Sequence, residues 1–412
     1  MTTNMSSLVR AVDVTVDRSS WRAQPPEFRH PFPLVLGRQR GPFPVHVLAM
    51  LLRVGELTTP VLNIQSGVAR LWPLLRYLHA VADTPGFRLR AGWADTDRHQ
   101  KAIASDDLGV GLAMEVLYRA FDYSACIDGR AFLHRLNQIG LLAGDGGLPP
   151  KVGMMKMADY AAVDSGGKFH IIECKGSQGS VSALTAAMAD GVFQKQSLIC
   201  SSPAAERRLI GQRLVTGVSL VLEGAQRDTR VIITDPAPLV EGSAELIEAV
   251  SARALHEPAL RLEVARTLGT AGAFRAATAM AETDRPADYP ALNGPDQRGR
   301  IRSAVIDDEI GLSSFEAFGE AWIGESTVVP LLEPIVLADR VFRSAHLRKG
   351  VSRLLMEELR GGQGGGPLFQ DLYPDATQRL AVNKVVAGET DAHLIRPGIS
   401  ISSIELIERK AG

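Results

Sequence analysis

Three residues of this chain could act together on one substrate: Asp159, Glu173 and Lys175. They stand in two apolar stretches separated by Asp164-Ser165-Gly166-Gly167-Lys168. The first is Met157-Ala158-Asp159-Tyr160-Ala161-Ala162-Val163; the second is Phe169-His170-Ile171-Ile172-Glu173-Cys174-Lys175-Gly176. Such stretches read as strands, and Ser165-Gly166-Gly167 suits a hairpin loop with a glycine free for the left-handed position. With Asp164 facing Lys168, Val163 pairs with Phe169, Ala161 with Ile171, and Asp159 with Glu173. Strand alternation then carries Lys175 to the face of Glu173, although a slip of one residue in the turn would separate the three. Two carboxylates opposed across a hairpin repel each other. A divalent cation, which takes hard oxygen ligands, supplies the compensation. With an ammonium nearby to orient or help deprotonate water, the set suits hydrolysis of a phosphodiester. The alternative is an exposed, charge-laced hairpin.

The elements around the hairpin must hold that face in place. Ser105-Asp106-Asp107 offers an N-cap to a helix over residues 108–121. Ser180 or Ser182 can cap a second helix running to about residue 199. Strand patterns follow at 214–222 and 229–234, and Pro236 and Pro238 end the unit. Helix, strands, helix and strands in one stretch imply an α/β core.

An acid on one strand followed by acid-x-Lys on the next resembles the signature of the PD-(D/E)xK, or restriction-endonuclease-like, nucleases. Asp159 occupies the first-acid position and Glu173-Cys174-Lys175 the acid-x-Lys position, while Ala158 stands where many members have proline. The motif covers residues 157–176, and the likeness in element order covers about 105–235. The resemblance implies an αβββαβ core with Asp159, Glu173 and Lys175 as catalytic residues. It implies Mg²⁺ or Mn²⁺ as cofactor, held by Asp159 and Glu173 with the Cys174 carbonyl as a further ligand. Many members carry a glutamate on the preceding helix, and Glu115 fits that place as a metal ligand; an ordinary surface glutamate is the alternative. Gln194 and Lys195, late in the helix after the motif, are implied as contacts to a nucleic-acid backbone, with a solvated helix end as the alternative. The Cys174 thiol belongs on the opposite sheet face, as a small hydrophobe.

The lysines give separate support. Only nine occur in the chain, and Lys151, Lys156, Lys168, Lys175 and Lys195 crowd into this segment, which fits a phosphate-facing surface. Lys151 and Lys156 are therefore candidate nucleic-acid contacts. The net charge of -1 leaves no global field for a polyanion, so any footprint must be local. Residues 1–100 use arginine without lysine, and Arg10, Arg18, Arg22, Arg29, Arg38 and Arg40 line either a phosphate-contacting face or a solvated surface. Cys126, Cys174 and Cys200 lack metal-ligand spacing and read as reduced thiols of a cytoplasmic protein, without a signal-peptide pattern or a membrane span.

Three regions are expected: a mixed N-terminal accessory domain (1–104) with helices near 45–54 and 68–82, a nuclease domain (105–238), and a mainly helical C-terminal domain (239–412). Helices are expected there over 244–254, 260–281 and 338–359, with a closing strand at 399–407. The implied activity is a Mg/Mn-dependent deoxyribonuclease of bacterial anti-phage defence or DNA processing. DNA is the expected partner; RNA, a homodimer and a defence-system partner protein stay open. The competing readings are a catalytically silent nucleic-acid-binding or scaffolding protein on the same fold, and an RNA-cutting effector.

Overall fold

A computed structural model describes residues 3–17, 34–35, 38–58, 72–143, 157–164, 166–235, 244–247, 250–281, 295–361 and 384–408. Residues up to 234 supply all the strands of one mixed sheet. In order come β1 (Thr3–Met5), β2 (Val9–Asp17), β3 (Leu34–Val35), β4 (Arg38–His46), α1 (Val47–Thr58), α2 (Trp72–Tyr77) and α3 (Arg98–Phe121). There follow β5 (Ala125–Asp128), α4 (Gly129–Gln138), β6 (Tyr160–Val163), β7 (Phe169–Ser177), α5 (Val181–Gln194), β8 (Leu198–Cys200), α6 (Pro203–Leu209), β9 (Ile210–Ser219) and β10 (Arg230–Thr234). Eight strands share the sheet in the order β3-β4-β2-β10-β9-β7-β6-β5. Strands β5, β6 and β7 are antiparallel neighbours, and β7 runs parallel to β9.

Alternation sorts the side chains of β7 to two faces. Ile172 and Cys174 enter a core shared with α1 and α3, whereas Phe169 and Ile171 enter a second core with α4 and the helices that follow the sheet. The boundary expected at 104/105 falls inside α3, and β2 and β4 from the first hundred residues lie in the same sheet as the hairpin. Arg10 is buried: its guanidinium donates to the Ala82 and Val9 carbonyls and pairs with Asp83. It is thus part of the fold and not of a phosphate-facing surface. Arg18, Arg22 and Arg29 lie outside the described residues.

Among its described residues the C-terminal region is not mainly helical. After β11 (Ala244–Leu246), α7 (Ala252–Thr270), α8 (Phe274–Ala281) and α9 (Pro295–Glu309) come β12 (Ser313–Ala317), β13 (Glu320–Leu337), β14 (Arg340–Ser352), α10 (Arg353–Arg360), β15 (Lys384–Ala387), β16 (Asp391–Arg396) and β17 (Ser400–Glu408). Seven strands form a second sheet, in the order β1-β13-β14-β17-β16-β15 with β12 on β13. Residues 340–352, expected inside a helix, are strand. A register shift between Phe342 and Ser344 turns Phe342 and Ala345, three residues apart, both into the core, and that spacing imitates a helix face. The hairpin turn before them is Ala338-Asp339, both left-handed at φ 47° and 64°, without the glycine or asparagine that would announce it. Residues 244–246 are likewise strand, paired with β8, and the helix after them starts only beyond its Ser251 cap. Among the described residues no helix is long and apolar enough to cross a membrane.

Candidate active site

The β6–β7 hairpin has the register expected from its turn. Val163 pairs with Phe169, Ala161 with Ile171 and Tyr160 with Ile172, and Gly167 takes the left-handed position at φ 78°. Asp164 braces the turn through the Gly166 and Lys168 N–H groups and through His170. One step beyond Tyr160, Asp159 meets Glu173. The Asp159 N–H donates to Glu173 Oε2 at 3.2 Å, and Asp159 Oδ2 accepts from the Cys174 N–H at 2.8 Å. The Lys175 ammonium bonds Glu173 Oε1 on the same face.

Glu173 is fully buried. Burial and the charge of Asp159 push its carboxyl up to about 8, against the opposing Lys175 ammonium. Asp159 is raised as well, because burial outweighs the Cys174 N–H bond and the lysine, and Asp106 and Asp128 add to it. For Lys175, burial pulls downward, but the bond to Glu173 and the surrounding carboxylate charge leave it above its ordinary range. The lysine therefore stays an ammonium at neutral pH, while the two acids hold more proton than free carboxyls would. Such a set, all hard oxygen donors and short of positive charge, fits a divalent cation. The fit is confined to two converging carboxylates: among the described residues no group of three or more His, Cys, Asp and Glu side chains is arranged to hold a metal ion.

Other expected site residues are elsewhere. Glu115 is fully buried on α3, with Oε2 accepting from Arg53 Nε at 2.9 Å and Oε1 from Arg119 Nη2 at 3.0 Å. Burial alone would raise its carboxyl, but the two guanidiniums hold it below the usual range. It lies on the α1–α3 side of the sheet, away from the face that carries Glu173, so its oxygens serve an interhelical ion pair. Lys195 is also corrected as a phosphate contact: its ammonium is buried against Asp235 Oδ1 at 2.9 Å. Gln194 does reach the site, where its Oε1 accepts from Lys175 Nζ at 2.8 Å. The Cys174 thiol packs in the α1–α3 core, and burial pushes it well above the ordinary thiol range. Lys151 and Lys156 lie outside the described residues.

Asp106, on α3, is the helix acid whose charge reaches Lys175 and Asp159. The Asp97 side chain caps α3 through the His99 and Gln100 N–H groups, so Asp106 sits well inside the helix. There it is raised by burial, opposed by the charge of Lys175. The helix comes this close because a Cβ on Gly176 would collide with the Ser105 carbonyl, and one on Gly109 would stand 2.9 Å from Gly176 Cα. Small residues at 105 and 109, one helical turn apart, are the signal in the sequence that marks this contact. Compared with known proteins, the chain matches no family model, no curated protein and no solved structure.

Proposed function

We propose that the chain is a metal-dependent nuclease of the PD-(D/E)xK type that hydrolyses DNA phosphodiester bonds. The observation that carries this reading is the hairpin: the buried Glu173 and the half-buried Asp159 face each other with one ammonium on their own face, and Glu173 is pushed up to about 8. Burying like charges is costly unless a ligand uses them. The order α3, β5, β6, β7, α5, β9, with β7 parallel to β9, agrees with the αβββαβ core that the motif implies. Helix α4 and the β8–α6 pair are insertions between those elements.

In this reading Asp159 and Glu173 would hold Mg²⁺ or Mn²⁺, with the Cys174 carbonyl as a further ligand and Asp106 acting at longer range. A cation there supplies Lewis-acid polarisation of the phosphoryl group. Because Lys175 is held as an ammonium, its part is to orient water and stabilise negative charge on the phosphoryl oxygens, not to remove a proton. Bacterial anti-phage defence or DNA processing is the role proposed for such an activity, in the cytoplasm, with a homodimer or a defence-system protein as possible company. The complete burial of Glu173 favours a second reading, a catalytically silent nucleic-acid-binding or scaffolding protein on this fold.

One experiment separates the two: incubation of the full chain with plasmid, linear duplex, single-stranded DNA and RNA, each with Mg²⁺, Mn²⁺ or a chelator. Metal-dependent cleavage of DNA by the wild type and none by Glu173→Ala supports the nuclease. Cleavage of RNA alone would redirect the substrate class, and no cleavage of any substrate would hand the case to the silent scaffold.

A further inference from the structure

The Lys175 ammonium has two acceptors, Glu173 Oε1 and, at 2.8 Å, Gln194 Oε1. Gln194 is the last residue of α5, and its amide has a fixed sense, since its Nε2 donates to the Met157 carbonyl at 3.4 Å. Turning the amide over would set an NH₂ donor against an ammonium, which has only donors. The approach of α5 is built by Gly191, three residues earlier and so on the same helical face. A Cβ there would stand 3.1 Å from Glu173 Cγ, 3.2 Å from Val215 Cγ1 and 3.5 Å from Lys175 Cε. Glycine weakens a helix interior, yet at this point it lets the final turn of α5 lie directly on the two charged side chains.

We propose that Gln194 is a positioning residue for Lys175, and this inference rests on the nuclease reading of the same site. Its oxygen is spent on the ammonium and not on a nucleic-acid backbone. A neutral amide is suited to the task. It holds the lysine when Glu173 turns its oxygens to a cation, and it does so without adding another carboxylate to Asp106, Asp159 and Glu173. The Met157 carbonyl ties this device to the segment just before β6 that carries Asp159, so one amide fixes the ammonium relative to both acids.

The test uses full-length wild type, Gln194→Ala and Gln194→Glu. Reactivity of Lys175 toward an amine-acylating reagent is mapped by mass spectrometry across pH in the metal-free protein, and cleavage of a DNA duplex is followed with Mn²⁺. Loss of one charge-assisted hydrogen bond should speed labelling of Lys175 about 10-fold in Gln194→Ala and lower kcat by about 10–100-fold, with KM little changed. In Gln194→Glu labelling should slow below that of wild type, and the alkaline limb of the cleavage profile should move to higher pH. Unchanged labelling would overturn the proposal. So would a rise in KM with a flatter salt dependence and an unmoved pH profile, which is the signature of a phosphate contact. Labelling needs no turnover: if the wild type fails to cleave, the nuclease reading falls while the contact between Gln194 and Lys175 is still measured.

Discussion

Glu263 and Glu173 are both buried carboxylates that accept from cationic side chains, yet their surroundings push them in opposite directions. Glu263, on α7, bonds the guanidiniums of Arg266 and Arg396, and its Oε2 accepts the Cys126 N–H at 3.2 Å. Burial opposes its charge, but the two arginines win and hold it down to about 2. Glu173 has one ammonium and one backbone N–H, faces Asp159, and is pushed up to about 8. The first group lies where α1, α7, β16 and β17 meet, around a small cavity of about 20 Å³, room for roughly one water. Near it, Ser402 bonds Glu56, and Arg53 bonds Glu115. That junction is complete in itself and joins the central unit to the C-terminal sheet. The hairpin site is short of positive charge, the condition under which the proposed cation would be held.

The contrast can be broken by removing one carboxylate from each group. The largest effect belongs to Glu263→Ala, which leaves Arg266 and Arg396 buried without their shared partner. It should cost about 3–5 kcal/mol in denaturant unfolding, and a loss below about 1 kcal/mol would mean that the junction is not held by that pair. Glu173→Ala should act oppositely, sparing the fold while lowering DNA cleavage by at least ~100-fold, as does loss of one preorganised stabilising group. Melting curves with and without Mn²⁺ sharpen the point. The metal-dependent rise of the wild type should vanish in Glu173→Ala and Asp159→Ala but survive in Lys175→Ala, where turnover alone is lost.

The smallest effect is on pH dependence. The carboxyl of Glu173 lies above its ordinary range in the folded chain, so its protonated form stabilises the fold. That contribution is full below the ordinary carboxylate range and is lost as pH rises through about 8. The metal-free protein should therefore lose stability through this group between about pH 5 and about pH 9. Glu173→Gln should flatten that slope. A wild type and a Glu173→Gln variant with parallel stability curves would show that the site is not short of positive charge.

The hairpin was legible because its turn length and its alternation of faces fix the register with no outside information. Glu115 against Asp106 was not legible in the same way. A helix shows every residue at the same 3.6-residue spacing, and only the place where α3 crosses β7 decides which acid meets Lys175. The cap at Asp97, well before the expected Ser105-Asp106-Asp107, hid that crossing. Lys195 read as a solvated or phosphate-facing lysine, because its partner Asp235 comes forty residues later, on another element. The second sheet stayed hidden for a local reason: its bulge at 342–344 and its Ala338-Asp339 turn both depart from the residues that usually mark strands and hairpins.

Strand β1 has a consequence for the order in which the molecule can be assembled. Met5 pairs with Leu337, whereas β2, only a few residues on, pairs with β4 and β10. During synthesis β2 can find β4 early and β10 once residue 234 has emerged, so every strand of the central sheet is available by that point. Among the described strands residues 3–5 pair only with 335–337, which makes β1 a seam to the second sheet that closes late. Contacts this distant along a chain form slowly, and an edge left waiting is open to pairing with the wrong strand. Intermediates that stop before β13 should therefore carry an unpaired leading strand.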